Sequence, residues 1–308
     1  MSNARPLVIG SRGSRLALWQ ARFVQGWLAA AGRESRIQEI RTSGDRFTAQ
    51  PLAAIGGQGL FVKEIEEALA AGTIDLAVHS LKDLPTQQPA GLVIACVPKR
   101  EDPRDMLLSR GAGTLGDLPR GASIGTGSPR RACQIRALRP DLVIRDLRGN
   151  VETRIARFER GDFDAIVLAA AGIRRLGLRV EGATLAVEEM LPAVGQGALA
   201  IETRGDDAAT RELLAALHHD ATARAVAAER ALLRGLGGGC QAPIAAHGEV
   251  TGNRLVLRGL VADPEGRTVL RHQISGDPAD PEAAGQELAA DFLARGAAAL
   301  LSLPEAGT

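Results

Sequence analysis

The sequence lacks long apolar segments and a regular cysteine pattern. None of its 308 residues belongs to an apolar run of about 20 residues, the length that spans a bilayer. The apolar stretch Leu7-Val-Ile-Gly10 is too short for the core of a signal peptide. The cysteines Cys96, Cys133 and Cys240 are odd in number and far apart, which argues against a disulfide framework and fits a reducing compartment. We therefore expect a cytoplasmic protein with no membrane partner.

Lysine is also scarce. Only Lys63, Lys82 and Lys99 among the 37 basic residues are lysines, so 34 are arginines. No lysine is followed by Ser or Thr, which excludes a Walker A phosphate loop and disfavours a nucleotide-binding enzyme. A formal net charge of +1 argues against a dedicated nucleic-acid binder, and no histidine or cysteine has metal-ligand spacing. The arginine excess has two compatible explanations: a GC-rich genome, or clusters that bind carboxylates or phosphates.

The patterns that are present indicate a globular α/β protein. The chain is 45% hydrophobic and 24% charged, and its length allows two or three domains. Short apolar runs alternate with helical patterns up to about residue 176, which predicts parallel sheets. Breaks rich in proline, glycine or charge at Lys99–Pro103 and Leu191–Gly197 are candidate boundaries. Strand-like runs followed by one long Ala-rich helix over Pro281–Leu301 predict a small α+β domain.

Asp83 follows a predicted buried strand. The apolar run Leu76–Val78 gives way to His79, Ser80, Lys82 and Asp83 before Pro85 ends any regular continuation. Open α/β sheets bind ligands at such strand ends. By position alone, this carboxylate is either a solvated loop residue or a catalytic one.

Four successive turns bear Arg, Ser or Thr side chains. They are Ser80–Asp83, Thr126–Arg131, Arg148–Arg154 and the pair Arg174–Arg175, and Arg12 precedes a further predicted helix N-terminus at Ser14. Helix N-termini add positive potential at such turns. Together they predict a cradle for a substrate with several carboxylates or phosphates, the alternative being a series of solvated arginines. The predicted helix-start residues are Ser14 and Asn150 as N-caps and Pro129 in a first turn.

Cys240 follows three consecutive glycines, Gly237 to Gly239. Glycine allows a close backbone approach to a ligand and leaves the thiol accessible, so Cys240 is a candidate nucleophile or covalent attachment point. The alternative is a buried small residue, which is the interpretation we prefer for Cys96 and Cys133.

Six motifs in this order closely resemble the porphobilinogen deaminase family, also called hydroxymethylbilane synthases, from about Ile9 to the end of the chain. They are Val78-His-Ser-Leu-Lys-Asp-Leu-Pro, Arg100-Glu-Asp-Pro-Arg-Asp, Gly125-Thr-Gly-Ser-Pro-Arg-Arg, Leu147-Arg-Gly-Asn-Val, Leu191-Pro-Ala-Val-Gly-Gln-Gly-Ala and Gly238-Gly-Cys-Gln-Ala-Pro-Ile.

The resemblance implies two α/β lobes like those of type II periplasmic binding proteins, plus a small α+β C-terminal domain. We expect residues 1–99 and 197–220 to form domain 1, residues 100–196 domain 2, and residues 221–308 domain 3, which carries Cys240. The chain would then cross between the lobes twice.

The resemblance also implies the activity. Four porphobilinogens are condensed head to tail, each losing ammonia, to give hydroxymethylbilane in tetrapyrrole biosynthesis. The reaction is primed by a dipyrromethane cofactor, built from two substrate units and held by a thioether at Cys240. A monomer is expected, with its product passed to a downstream synthase.

The family's site residues map onto this sequence by motif. Asp83 matches the catalytic aspartate, which hydrogen-bonds pyrrole N–H groups and stabilises the cation left by ammonia. The implied cofactor-binding residues, besides Cys240 and Asp83, are Ser80, Lys82, Thr126, Ser128, Arg130, Arg131, Arg148 and Arg154. The implied substrate-binding residues are Arg12, Ser14, Phe61, Arg148, Arg154, Arg175 and Gln196.

Two departures and one alternative accompany this assignment. Ala54 and Gln58 stand where the family often has lysines, which puts a cationic lid in doubt. Pro129 stands where leucine is common, and proline suits a helix start. The alternative is a non-catalytic two-lobed binding protein for a polycarboxylate, which would leave Asp83 and Cys240 unexplained.

Overall fold

The structure is a computed structural model that describes residues 5–43, 62–239 and 242–302. Four residues named in the predictions above, Ala54, Gln58, Phe61 and Cys240, lie outside these ranges.

Within the described ranges, the strands are β1 (Leu7–Ser11), β2 (Ser35–Glu39), β3 (Leu76–Ser80), β4 (Leu92–Cys96), β5 (Asp105–Ser109), β6 (Ser123–Gly125), β7 (Val143–Arg145), β8 (Ala165–Ala169), β9 (Ala183–Thr184), β10 (Leu199–Arg204), β11 (Ile244–Thr251), β12 (Arg254–Ala262) and β13 (Val269–Gly276). The helices there are α1 (Arg15–Ala30), α2 (Lys63–Ala70), α3 (Pro129–Leu138), α4 (Val151–Glu159), α5 (Ala170–Arg175), α6 (Ala208–Ala215), α7 (Asp220–Gly235), α8 (Pro281–Ala294) and α9 (Ala297–Leu301). A turn of 3₁₀ helix, Leu81–Asp83, follows β3 directly. No helix in this described part of the chain is both long enough and apolar enough to cross a membrane.

The first two sheets have the same strand pattern, β2-β1-β3-β10-β4 and β7-β6-β8-β5-β9. In each, the first three strands run parallel and the fourth runs antiparallel to both of its neighbours. In each sheet, this fourth strand is the first strand that the chain forms after it leaves the other sheet: β5 follows β4, and β10 follows β9. The two lobes are therefore joined by two crossing segments, residues 97–104 and 185–198.

The prediction of parallel sheets is wrong for β5 and β10, neither of which was expected as a strand. Both carry a fully buried acid, Asp105 in β5 and Glu202 in β10. An acid interrupts the apolar pattern by which a buried strand is recognised. These residues therefore form strands because they pair with strands elsewhere in the chain, and their own hydrophobic pattern does not indicate it.

The third sheet is antiparallel, with strand order β11-β12-β13. Its core contains Leu232 from α7, Leu257 from β12, and Leu288 and Phe292 from α8. Helices α7 and α8 approach closely at Gly285, where a Cβ atom would lie 2.4 Å from the carbonyl oxygen of Ala228. The arrangement confirms the predicted fold class, two α/β lobes followed by a small α+β domain.

The single helix expected over Pro281–Leu301 is wrong, because α8 ends before Gly296 and α9 begins after it. Gly296 has φ +89°, in the left-handed region that interrupts a right-handed helix.

The predicted helix starts are confirmed. The side chain of Ser14 accepts a hydrogen bond from the backbone N of Ala17 at 3.2 Å, and Asn150 accepts one from Thr153 at 2.8 Å. Pro129 occupies the first turn of α3. These caps orient the N-termini of α1, α3 and α4 where both lobes turn from strand to helix.

Candidate active site

A cleft of about 1100 Å³ lies between the two lobes. The first lobe contributes the turn between β1 and α1 and the end of β3. The second contributes the N-terminus of α4 and the residues around the start of α5. Among the described residues, its walls carry seven basic side chains, Arg12, Arg41, Lys82, Arg131, Arg148, Arg154 and Arg175, and three acidic ones, Glu39, Asp83 and Glu152. The cleft is therefore suited to an anionic ligand.

Lys82 and Asp83 reach the cleft because β3 ends just before them. Strand β3 is buried as far as His79, and the backbone N of Leu81 donates to the carbonyl of Ala198 at 3.0 Å. The next two side chains then line the opening. Burial lowers the pKa of Lys82 to about 8, although the neighbouring Asp83 opposes that shift. A bound carboxylate would favour the charged lysine.

A smaller pocket of about 70 Å³ lies on the first-lobe side of the cleft. Its polar lining consists of Arg12, Ser14, Gln20, His79, Ser80 and Asp83. Because Arg12, Ser14, Ser80 and Asp83 also line the cleft, the small pocket opens beside it. The structure thus brings together four residues that the sequence predicted separately.

Gln20 is a site residue that the sequence reasoning missed. Its side chain is 2% exposed, and Nε2 donates to Oγ of Ser80 at 2.8 Å. The available signal was its position, because Gln20 lies one and two helical turns before the buried Val24 and Leu28 of α1. A polar residue at an inward helical position needs a polar partner.

Three arginines of the second lobe line the opposite wall. Arg154 Nε donates to the carbonyl of Gly149 at 2.8 Å, and Arg148 Nε lies 2.7 Å from Asp146 Oδ2. Burial, with repulsion from Arg131, lowers the pKa of Arg154 to about 10. Arg131 donates to Asp105 and to the carbonyl of Val167. Dense positive charge on this wall favours ligands with more than one carboxylate.

Arg175 lies where the second lobe meets a crossing segment. Its Nη2 donates to the carbonyl of Gly197 at 2.6 Å, and its guanidinium carbon lies 5.9 Å from the centre of the Trp19 ring on α1. Burial lowers its pKa to about 10. Arg175 therefore contacts both lobes while lining the cleft.

Asp105, which the sequence reasoning also missed, binds three of the predicted residues behind the cleft wall. Its carboxylate accepts hydrogen bonds from Arg130, Arg131 and Gln196 at 2.8, 2.7 and 2.9 Å. Burial alone would raise the pKa of Asp105, but the two arginines outweigh it and hold the pKa below its usual range. Its sequence signal was a lone acid at the start of an apolar run.

Four predicted binding residues, Thr126, Ser128, Arg130 and Gln196, do not line the cleft. Arg130 and Gln196 bind Asp105, and Arg130 also donates to the carbonyl of Leu191 at 2.8 Å. Ser128 caps α3, and its backbone N donates to Oγ1 of Thr126. These residues support the wall that carries Arg131 rather than form its surface.

Comparison with known proteins shows which family the chain belongs to. The family model "Porphobilinogen deaminase, dipyromethane cofactor binding domain" matches residues 7–212, and the model of the family's C-terminal domain matches residues 223–294. The chain belongs to the porphobilinogen deaminase family. The porphobilinogen deaminase of Syntrophotalea carbinolica is 51% identical over 299 residues, covering 96% of this chain and 95% of that protein. That of Moorella thermoacetica is 52% identical over 296 residues, covering 95% of each.

Solved structures of binding proteins show a weaker likeness. A YaeC-family lipoprotein from Enterococcus faecalis gives a TM-score of 0.41 at 14% identity, covering 68% of this chain and 90% of that one. A periplasmic substrate-binding protein of an ABC transporter from Coxiella burnetii gives 0.40 at 18% identity, covering 73% and 96%. Scores this low add nothing to the assignment.

Membership of the porphobilinogen deaminase family establishes the activity. The chain is a deaminating transferase of tetrapyrrole biosynthesis that condenses porphobilinogen to hydroxymethylbilane, and it contains the family's dipyrromethane cofactor-binding domain. The alternative of a non-catalytic binding protein is not favoured.

The cleft residues fit this cofactor. Two porphobilinogen units carry four carboxylates, since each unit has an acetate and a propionate. Lys82, Arg131, Arg148 and Arg154 all line the cleft, and each can donate to a carboxylate. The cleft's volume of about 1100 Å³ also exceeds the few hundred Å³ that a drug-sized ligand needs.

Proposed function

We propose that Asp83 is the catalytic residue of the deaminase reaction. The observation that carries the proposal is its position. Of the three acids that line the cleft in the described part of the chain, Asp83 also lines the small pocket, whereas Glu39 and Glu152 do not. A carboxylate there accepts hydrogen bonds from pyrrole N–H groups. It also stabilises the positive charge that develops as ammonia leaves.

We also propose which basic and hydroxyl side chains bind the carboxylates of the substrate and which bind those of the cofactor. Arg12, Ser14 and Arg175 bind substrate, with Arg148 and Arg154 shared between substrate and cofactor. Ser80, Lys82 and Arg131 bind the cofactor. Thr126, Ser128, Arg130 and Gln196 assist from behind the wall. Arg130 and Gln196 donate to Asp105, Ser128 accepts from the backbone N of Arg131, and Thr126 accepts from the backbone N of Ser128. Phe61 remains a proposed substrate contact on the strength of the family motif alone.

Cys240 is the proposed attachment point of the cofactor through a thioether. It falls between α7, which ends at Gly235, and β11, which begins at Ile244. The bound group supplies the pyrrole carbon to which the first substrate is joined. The intact mass of the denatured protein, beside that of Cys240→Ser, checks this: two pyrrole units should be present in the first and missing from the second.

The domain boundaries belong to the same proposal: residues 1–99 with 197–220, residues 100–196, and residues 221–308. They agree with the sheets, because β10 joins the first sheet and β5 the second. We further propose a cytoplasmic monomer that passes its product to a downstream synthase. The two described cysteines are free and buried, as expected in a reducing compartment.

The test of Asp83 compares Asp83→Asn with Glu152→Gln. Glu152 is a matched control because it lines the same cleft but pairs with Arg15 at 3.0 Å. We expect Asp83→Asn to lower the rate of porphobilinogen consumption at least about 100-fold, the usual contribution of a positioned acid–base group. Glu152→Gln should stay within about threefold of the parent by the same measure. Equal rates for the two variants would refute the role of Asp83.

A further inference from the structure

The backbone immediately after Asp83 is held by a side chain from the third domain. Arg230, on α7, donates from Nη2 to the carbonyl of Pro85 at 2.7 Å and from Nη1 to the carbonyl of Leu84 at 3.3 Å. The same Pro85 carbonyl accepts from Gln88 Nε2 at 2.8 Å. Arg230 thus binds the two residues that follow the catalytic carboxylate in the chain.

The bond to Leu84 is buried and the bond to Pro85 is partly buried. Arg230 is 7% exposed, and Leu84 is 3% exposed. A guanidinium buried to this degree needs its hydrogen bonds satisfied, and a charged donor makes stronger bonds to carbonyls than a neutral one. The contact therefore fixes the position of the loop more firmly than an exposed surface bond would.

The helix that carries Arg230 is itself fixed at the adjacent residue. The Glu229 carboxylate, which is fully buried, accepts from the backbone N of Gly195 at 2.7 Å and of Gly248 at 2.8 Å. It also pairs with Arg100 on the other crossing segment. Helix α7 is therefore anchored to both crossings at the turn from which Arg230 reaches the loop.

In the sequence, α7 precedes the proposed attachment residue Cys240. The helix ends at Gly235, five residues before Cys240. Arg230 thus links the segment that carries the catalytic carboxylate to the helix that precedes the attachment cysteine. In a reaction where one group must meet a chain tethered by the other, the distance between them matters directly.

We propose that Arg230 is a positioning residue, which holds the Leu84–Pro85 backbone and so fixes the position of Asp83 in the cleft. The inference rests on the proposed role of Asp83. It assigns Arg230 an effect on turnover rather than on binding, because Arg230 lines neither pocket. Misplacement of a catalytic group by about 1 Å can lower the rate on the order of 100-fold.

The test uses cofactor-loaded protein and compares Arg230→Met with Arg234→Met. Arg234 is one helical turn further on and half-exposed, makes a longer bond to the carbonyl of Thr86 at 3.4 Å, and pairs with Glu282. Rates are normalised to the folded, loaded fraction, measured by intact mass and thermal unfolding. We expect Arg230→Met to lower kcat about 10- to 100-fold with KM within about threefold, and Arg234→Met to leave both nearly unchanged.

Arg230→Lys provides a second measurement if the methionine variant does not fold. Lysine can reach a carbonyl with one donor but cannot span two, so the kcat of Arg230→Lys should fall below those of the parent and of Arg234→Lys. Equal kcat for Arg230→Lys and Arg234→Lys, or a loss in Arg230→Met confined to melting temperature, would overturn the inference. An active Asp83→Asn would instead refute the proposed function, so the two failures are distinguishable.

Discussion

Three titratable side chains, two of them buried, lie on or beside β3 in the first lobe. The imidazole of His79 lies 3.2 Å from the carboxylate of Glu202, and both side chains are almost wholly buried. Burial, and then repulsion from Glu202, raise the pKa of Glu66 on α2 to about 6, although His79 opposes the shift. Glu66 therefore changes its charge just below neutral pH, close to the strand that leads to Asp83.

Glu66→Gln should increase stability at neutral and alkaline pH. The folded-state pKa of Glu66 is raised above its value of 4.5 in the unfolded chain, so folding favours the protonated acid. Its contribution to stability is complete below pH 4.5 and is lost as the pH rises through about 6. We expect the variant's gain in free energy of unfolding to grow across that window to about 1 kcal/mol, after discounting for the partial exposure of Glu66.

Urea unfolding of both proteins from pH 4 to pH 8 measures this gain. Glu67→Gln is the control, because Glu67 is the next residue on α2 and its side chain is 64% exposed. A stability difference for Glu66→Gln that does not change with pH would contradict the assignment.

At the scale of elements, the two crossing segments touch each other where the lobes meet. The backbone N of Glu101 on the first segment donates to the carbonyl of Gly197 on the second at 3.1 Å. Gly197 has φ +85°, and a Cβ atom there would lie 2.4 Å from the Glu101 carbonyl oxygen. Only glycine allows this approach. The junction between the lobes therefore includes a backbone contact with no room for a side chain.

Gly197→Ala should destabilise the protein more than Gly177→Ala does. Gly177 has φ +62° with open space around its Cβ position, so alanine there meets only backbone strain. Alanine at position 197 meets strain and a steric clash, which together should cost about 1–3 kcal/mol of unfolding free energy. Urea unfolding of both variants isolates the clash as the difference between them. Equal losses of unfolding free energy would show that the crossing segments move apart to admit the methyl group at no free-energy cost, which would contradict this prediction.

At the scale of the whole molecule, positive charge is concentrated between the two lobes. Lys82 and Arg131 approach from opposite walls, and burial lowers the pKa values of Lys82, Arg154 and Arg175 to about 8, 10 and 10. A cofactor with four carboxylates supplies the counter-charge. The lobes should therefore hold together less firmly when it is absent.

The loaded protein should melt at a higher temperature than Cys240→Ser, by on the order of 5 °C. Because the stabilisation is electrostatic, the difference should shrink as salt rises to about 0.5 M. Thermal unfolding followed by circular dichroism at two salt concentrations measures it. A cofactor-free preparation of the parent protein separates the effect of the substitution on melting temperature from the effect of the missing cofactor. Identical melting temperatures for loaded and cofactor-free protein would contradict the charge-balance explanation.

The sequence by itself determined the features that depend on near neighbours. Ser14 and Asn150 cap their helices through bonds to residues three positions away, and a pattern of that range can be recognised without a structure. The six motifs likewise identified the family, since each is a continuous stretch whose order is preserved.

Only the tertiary structure decided which partners meet across long separations. Asp105 and Gln196 are 91 residues apart, and Arg230 and Pro85 are 145 apart, so no local pattern predicts either bond. For the same reason β10 became a strand only by pairing with β3 and β4, and Arg130 lies behind the cleft wall because Asp105 holds it there. A buried charge takes the position where its partner lies, and folding of the whole chain sets that position.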